Sequence, residues 1–186
     1  MRKIKTEAML DNQVIISFAS TRLTLREFQK EDISERYLSW LNDADVVRYS
    51  EQRHSPHDHN SALQYLTWVA GRKGLFLAIF EDSSKTHIGN ISLDFDCRNL
   101  TCDMAILIGD KSFWGRGFAK EAWEAARDYV FSKLGYWKIT AGTMSVNEGM
   151  IRLAKRSGMS LEGVHKDQYL WEGKRVDKLA FAFFNK

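Results

Sequence analysis

Hydrophobic and polar positions change period several times along the chain. VIISFASTRLTLREF, 14–28, holds two short strand-like pieces, and in the second Leu23 and Leu25 alternate with Thr24 and Arg26. Residues 30–49 read as helical, with Tyr37, Leu38, Leu41, Val46 and Val47 on one apolar face and a break at Asn42-Asp43. SEQRHSPHDHN, 50–60, is a polar loop. SALQYLTWVAG, 61–71, predicts a compact helix with Leu63, Leu66, Trp68 and Val69 inward and Gly71 as its stop.

The period then shortens. LFLAIFE (75–81) and HIGNISLDF (87–95) predict strands joined by the polar turn DSSKT. CDMAILIG (102–109) predicts a third, and its nearly unbroken apolar run points to burial on both faces. AKEAWEAARDYVFSKLG (119–135) is an amphipathic helix, with Ala122, Ala126, Val130 and Leu134 four apart and Gly135 as its cap. WKITAGTMSV (137–146) follows as a strand, NEGMIRLAKRSG (147–158) as a short helix and 160–185 as a final hairpin. This order predicts a mixed α/β (α+β) protein with one domain over 14–186 and a polar extension over 1–13.

Composition adds exclusions more than assignments. The 186 residues suit one domain, and a 44% hydrophobic content can fill a core. A net charge of +3, from 27 basic and 24 acidic residues, gives no reason to expect nucleic acid or a membrane as partner. No apolar stretch approaches a membrane span, and MRKIKTEAML lacks the apolar run of a signal peptide. Cys97 and Cys102 read as reduced thiols, so the expected setting is the cytoplasm. His54, His57 and His59 fall in a polar loop without an evident fourth ligand. They read as solvated histidines, and no metal site is expected.

One stretch asks for chemistry. In DKSFWGRGFAKEAW, 110–123, two glycines flank an arginine and the chain turns at once into helix formers. A helix start carries unpaired N–H groups and a partial positive charge. Glycines before it let an anion approach the backbone. Arg116 and Lys120 add positive charge at the end where stability alone favours acids. The stretch is not a P-loop, which needs G-x-x-x-x-G-K-[ST], and Gly115-Arg116-Gly117 lacks the third glycine or alanine of a dinucleotide fingerprint. An isolated G-x-G also serves simply to shape a tight turn.

Its context resembles a known family. W-G-R-G-F-A-K-E-A follows a strand that starts with Asp103. A helix led by Asn147 and ending K-R-S-G-M comes next, then Glu162-Gly163, then a hairpin with Gly173-Lys174-Arg175-Val176-Asp177. Together with T-R-L-T-L-R-E-F, these motifs run in order over about 20–185. They resemble the GNAT N-acetyltransferases, most closely the branch of ribosomal-protein N-terminal and small-amine acetyltransferases. The resemblance implies a central, mostly antiparallel twisted sheet flanked by helices, with acetyl-CoA as co-substrate. It implies that Trp114, Gly115, Arg116, Gly117, Phe118, Ala119 and Lys120 hold the pyrophosphate. The backbone of Ala105, Ile106, Leu107 and Ile108 would pair with the pantetheine arm and bind the developing oxyanion, in a slot that a strand bulge opens. Asn147 would touch the same arm, and Arg152 or Lys155 the 3′-phosphate side.

Asp103 matches the family's strand glutamate and would take the amine proton, through water because its side chain is one methylene shorter. The alternative readings are that Asp103 only ends a strand or pairs with an arginine, and that Asn147 only caps a helix. The pattern departs from the family at Ser112, where glutamine or arginine is usual, at Met150 in place of a serine, and near Ala154, where many members carry a tyrosine acid. Tyr169 is a further candidate proton donor. The acceptor groove implied by the fold carries Asn42, Asp43, Asp45, Arg48, Glu51 and Arg53 on one side and Lys166, Asp167 and Glu172 on the other. YLSWLNDADVVRYSEQRH resembles a segment of members that acetylate amino-sugar nucleotides. A small-molecule amine of that kind and a peptide N-terminus are the acceptors expected, a non-catalytic CoA-binding role is the alternative, and the state expected is monomer or homodimer.

Overall fold

A computed structural model describes residues 8–10, 13–15, 17–72 and 74–185, with side chains described from residue 19 onward. β1 (Ala8–Leu10) and β2 (Gln13–Ile15) form a two-stranded pair of their own, so the expected boundary after residue 13 falls within β2. Residues 1–7 and 11–12 of the predicted extension lie outside the described residues. β3 (Ser17–Ala19) and β4 (Leu23–Glu27) follow, the latter with Leu23 and Leu25 fully buried, as their alternation predicts. The helical stretch breaks where Asn42 and Asp43 stand. α1 (Glu35–Leu41) is capped by the Ser34 side chain, and α2 (Ala44–Val47) by that of Asp43. α3 (His59–Ala70) starts two residues earlier than expected, because Asp58 and Ser61 form a capping box.

β5 (Gly74–Glu81), β6 (Thr86–Asp96) and β7 (Thr101–Ile108) make an antiparallel meander. Then come α4 (Phe118–Ser132), β8 (Lys138–Met144), α5 (Glu148–Arg156) and the hairpin of β9 (Ser160–Trp171) and β10 (Lys174–Phe184). The eight-stranded sheet has the order β3-β4-β5-β6-β7-β8-β10-β9. Every pairing in it is antiparallel except β7 with β8. That pair is parallel because α4 carries the chain back over one face between them.

Two cores cover the two faces. Against α4, the buried Ala122, Trp123, Ala126 and Val130 meet Leu25, Ile91, Met104 and Ile139. Against α1–α3, Tyr37, Trp40, Leu41 and Ala62 meet Phe76 and Ala78. Three expected core positions differ. Trp68 is 53% exposed, with its ring under the Arg72 guanidinium, and Leu134 is 38% exposed beyond the end of α4. β7 is covered on both faces only near its end, where Leu107 packs against the α1–α3 core. Cys102 and Met104 are buried, but Asp103 and Ala105 are exposed. The apolar run reads as doubly buried because its second face lines a cleft.

Candidate active site

The cleft comes from the parallel pair. β7 and β8 are in register at Thr101–Lys138, Cys102–Ile139 and Asp103–Thr140, and the ladder stops there. Beyond that point β7 stays paired with β6 up to Ile108, while β8 stays paired with β10 up to Met144. The sheet therefore forks. The β6–β7 ladder has no register shift, so the fork opens without the bulge expected in this strand; β8 follows β10 away instead. Met104, Ala105, Ile106, Leu107 and Ile108 thus present one strand edge to the opening.

Asp103 and Thr140 are the last rung. The Thr140 hydroxyl donates to Asp103 Oδ2 at 2.7 Å. Asp103 is reachable through a cleft of about 520 Å³ whose rim carries Arg72, Asp94, Asp96 and Arg98. The surrounding strands still displace much of its water. That desolvation raises its pKa above the usual aspartate value, against the pull of the Thr140 hydrogen bond and of Lys178, with Asp94 pushing the same way as burial. Asp103 stands two positions into β7, and its hydrogen-bond partner is a threonine rather than an arginine.

The glycine turn stands at the open end of the fork. Gly115 and Gly117 have φ of 71° and 86°, which a residue with a Cβ adopts only under strain. Gly117 is the N-cap of α4, and no side chain caps that helix, so its leading N–H groups face outward. The Trp114 indole N–H donates to the Ile108 carbonyl at 2.7 Å, tying the turn to the end of β7. Arg116 lies over the rings of Phe113 and Phe118, and Lys120 is paired with Glu124 at 2.6 Å. At the [QR] position, the Ser112 hydroxyl donates to Asp110. Asn147 caps α5 by accepting from the Met150 N–H at 3.1 Å. Arg152 is exposed and tied to Glu148, and Lys155 is exposed on the same helix. Tyr169 is half-buried on β9.

A second cavity, of about 590 Å³, lies where α1, α2 and the loop after them meet the tip of the β9–β10 hairpin. Its walls include Asn42, Arg48, Arg53, His54, Trp171 and Glu172. Arg48 closes it, bonded to Glu172 at 3.0 Å and lying over the Tyr49 and Trp171 rings, which stack on each other. In the histidine loop, His57 Nε2 bonds the Gln52 carbonyl and His54 faces Glu51. Among the described residues, no group of three or more His, Cys, Asp or Glu side chains is arranged to hold a metal.

Residues 22–160 match the family Acetyltransferase (GNAT) domain. The chain belongs to that family. Its sequence is 29% identical over 163 residues to the SPbeta prophage-derived uncharacterized N-acetyltransferase YokL of Bacillus subtilis (strain 168), covering 86% of this chain and 88% of that one. In fold, it is similar to the ribosomal-protein-S5-alanine acetyltransferase of Vibrio fischeri (TM-score 0.78, 16% identity, 92% of this chain and 97% of the other). It is also similar to the spermidine N-acetyltransferase of Vibrio cholerae, solved with CoA and spermine (TM-score 0.78, 20% identity, 89% and 96%).

A diphosphate fits an uncapped helix N-terminus approached through two glycines, and around Gly115 even an added Cβ would meet nothing within 4 Å. An extended arm fits the free edge of β7. One contributor escaped sequence reading. Arg22 lies 3.6 Å from the space beside Gly117, sits over the Phe118 ring, and binds Glu121 in the first turn of α4. It is 99 residues from Glu121, and no local pattern marks it. Thr140 was likewise visible only as a strand residue. Among the described residues, no helix is long and apolar enough to cross a membrane.

Proposed function

We propose that this GNAT enzyme acetylates the primary amine of a small acceptor that carries anionic groups, such as a nucleotide-linked amino sugar. The observation behind the acceptor class is the lining of the 590 Å³ cavity, where Arg48, Arg53 and His54 stand with Glu172 in the wall and Glu51 beside it, next to the Trp171 and Tyr49 rings. Its size suits a small molecule, its charge suits phosphate or carboxylate, and its rings suit a planar base. A polycation such as spermidine would meet arginines there.

The donor would lie with its diphosphate on the turn Trp114–Lys120 and its arm along Ala105–Ile108, with Asn147 and the exposed Arg152 and Lys155 beside it. When bound, it supplies a thioester-activated acetyl group. An N–H on the free edge of β7 would stabilise negative charge at the reacting carbonyl. Asp103 would accept the amine proton, and its raised pKa makes it a stronger base than an ordinary aspartate. Asp103 lies three strand positions, about 10 Å, below Ile106, so the proton passes by water. Free Cys97 and Cys102 fit a reducing compartment such as the cytoplasm.

The test is release of free CoA from acetyl-CoA with three acceptors in parallel: a UDP- or dTDP-linked amino sugar, a short peptide with a free N-terminus, and spermidine. Transfer to the amino sugar alone is expected. Transfer to the peptide or spermidine alone would overturn the acceptor class, and donor binding without transfer to any amine would point to a CoA-binding role.

A further inference from the structure

Beside the cleft, against Gly142, lies a cation that the mechanism above does not use. Lys178, on β10, turns its side chain across β8 onto Gly142. A Cβ added at Gly142 would come within 2.7 Å of Lys178 Cε and 3.4 Å of Nζ. Gly142 stands two residues beyond Thr140 on β8, and so on the same face. The missing side chain of Gly142 is the channel in which the lysine lies. The β9–β10 ladder slips register between Val176 and Lys178, which sets the lysine at an irregular point of its strand.

The neighbouring arginines and lysines are already engaged, and His165 of β9 stands opposite Lys178 in register. Arg72, just after α3, holds Asp94; Lys138, at the start of β8, holds Glu162; and Lys166, on β9, holds Asp177. Arg98, in the β6–β7 turn, acts on Asp96. No described residue takes the Lys178 ammonium in a salt bridge or hydrogen bond. Acting on the Asp103 carboxylate are thus the Thr140 hydroxyl from β8, the Asp94 carboxylate from β6 and Lys178 from β10, while the neighbouring Cys102 thiol lies on the buried face of β7.

We propose that Lys178 is a positioning residue for Asp103: held in the channel over Gly142, its ammonium is the counter-charge that keeps the Asp103 carboxylate ionised at the closed end of the fork. Without it, burial and the Asp94 charge act against ionisation, and only the Thr140 hydroxyl acts for it. The inference rests on the reading of Asp103 as the base, and it concerns how that base is kept ready.

The test measures the Asp103 carboxyl directly. 13C-aspartate NMR titration of the donor-free protein, with Asp103→Asn assigning the signal, is run on wild type, Lys178→Met, Lys178→Arg and Gly142→Ala. Lys178→Met should raise the Asp103 pKa by about one pH unit, the effect of losing one opposite charge in a partly solvated cleft. Lys178→Arg should restore it. Gly142→Ala, which fills the channel without altering charge, should raise it in the same direction. The acid limb of kcat/KM should move with it. An unchanged Asp103 titration in both Lys178→Met and Gly142→Ala overturns the proposal. If the titration shifts as expected but Asp103→Asn keeps full turnover, the pairing stands and the reading of Asp103 as base has failed.

Discussion

Glu121, in the first turn of α4, takes three hydrogen bonds from the segment leading into β4. The Arg22 guanidinium donates at 2.7 Å, the Arg22 backbone N–H at 2.6 Å and the Ser20 hydroxyl at 2.7 Å. Burial pushes the Glu121 pKa up, but these donors outweigh it and the carboxyl titrates below its usual value. The acid thus fixes the start of the helix whose N-terminus forms the glycine turn. Glu121→Ala leaves these donors without their acceptor and is expected to cost about 2 kcal/mol in urea unfolding. The KM for acetyl-CoA should rise several-fold, because the turn loses its anchor.

Gly109 directly follows β7 where the Trp40 indole packs against its backbone, and a methyl there would overlap the ring. Trp40 is buried and packs edge-on against His87, so it has nowhere to go. Gly109→Ala is expected to destabilise by about 3 kcal/mol, the upper end of ordinary overpacking costs. Circular dichroism melts of the two proteins check this. Gly109→Ala combined with Trp40→Leu should recover part of the loss.

Elements with their own period were legible in the sequence. The alternation at Leu23 and Leu25, the helix break at Asn42-Asp43 and the Ala122, Ala126 and Val130 part of the α4 spacing reappear in the structure, while Leu134 falls beyond the helix. What escaped depends on the third dimension. Trp68 fits the inward stripe of a helix, yet α3 buries Ala62 instead and leaves the indole to Arg72. The β7 run looks buried twice because a cleft and a core both tolerate Ala105 and Leu107. In the site, the glycine turn was visible because it is contiguous, with its positive φ angles at the two glycines. Arg22, Thr140 and Lys178 reach it only through sheet register and long-range contacts, which no spacing encodes.

His87 is buried among Phe28, Tyr37, Trp40 and Phe80, and its Nε2 bonds the Gly89 carbonyl at 3.0 Å. Desolvation lowers its pKa to about 4, with Asp32 and the Gly89 carbonyl pulling up and Arg26 and Arg36 pushing down. Below about pH 6.5 the unfolded chain binds a proton that the folded protein refuses until about pH 4. Stability should therefore fall as pH drops through that window, by at most about 3 kcal/mol, and this contribution should level off below it. Urea midpoints from pH 7 to pH 4 would show the slope. His87→Gln, which keeps a donor for Gly89, should flatten it; an equal slope in the variant would assign the loss to other groups.

The proposed chemistry centres on Asp103 at the closed end of the fork. The decisive measurement is steady-state acetyl transfer by Asp103→Asn, paired with its equilibrium affinity for acetyl-CoA. The variant keeps the shape and the Thr140 contact, so affinity should stay within about twofold of wild type, while kcat should fall by about 10²–10⁴-fold, the range for loss of a general base. Turnover equal to wild type, with the same affinity, would contradict the account.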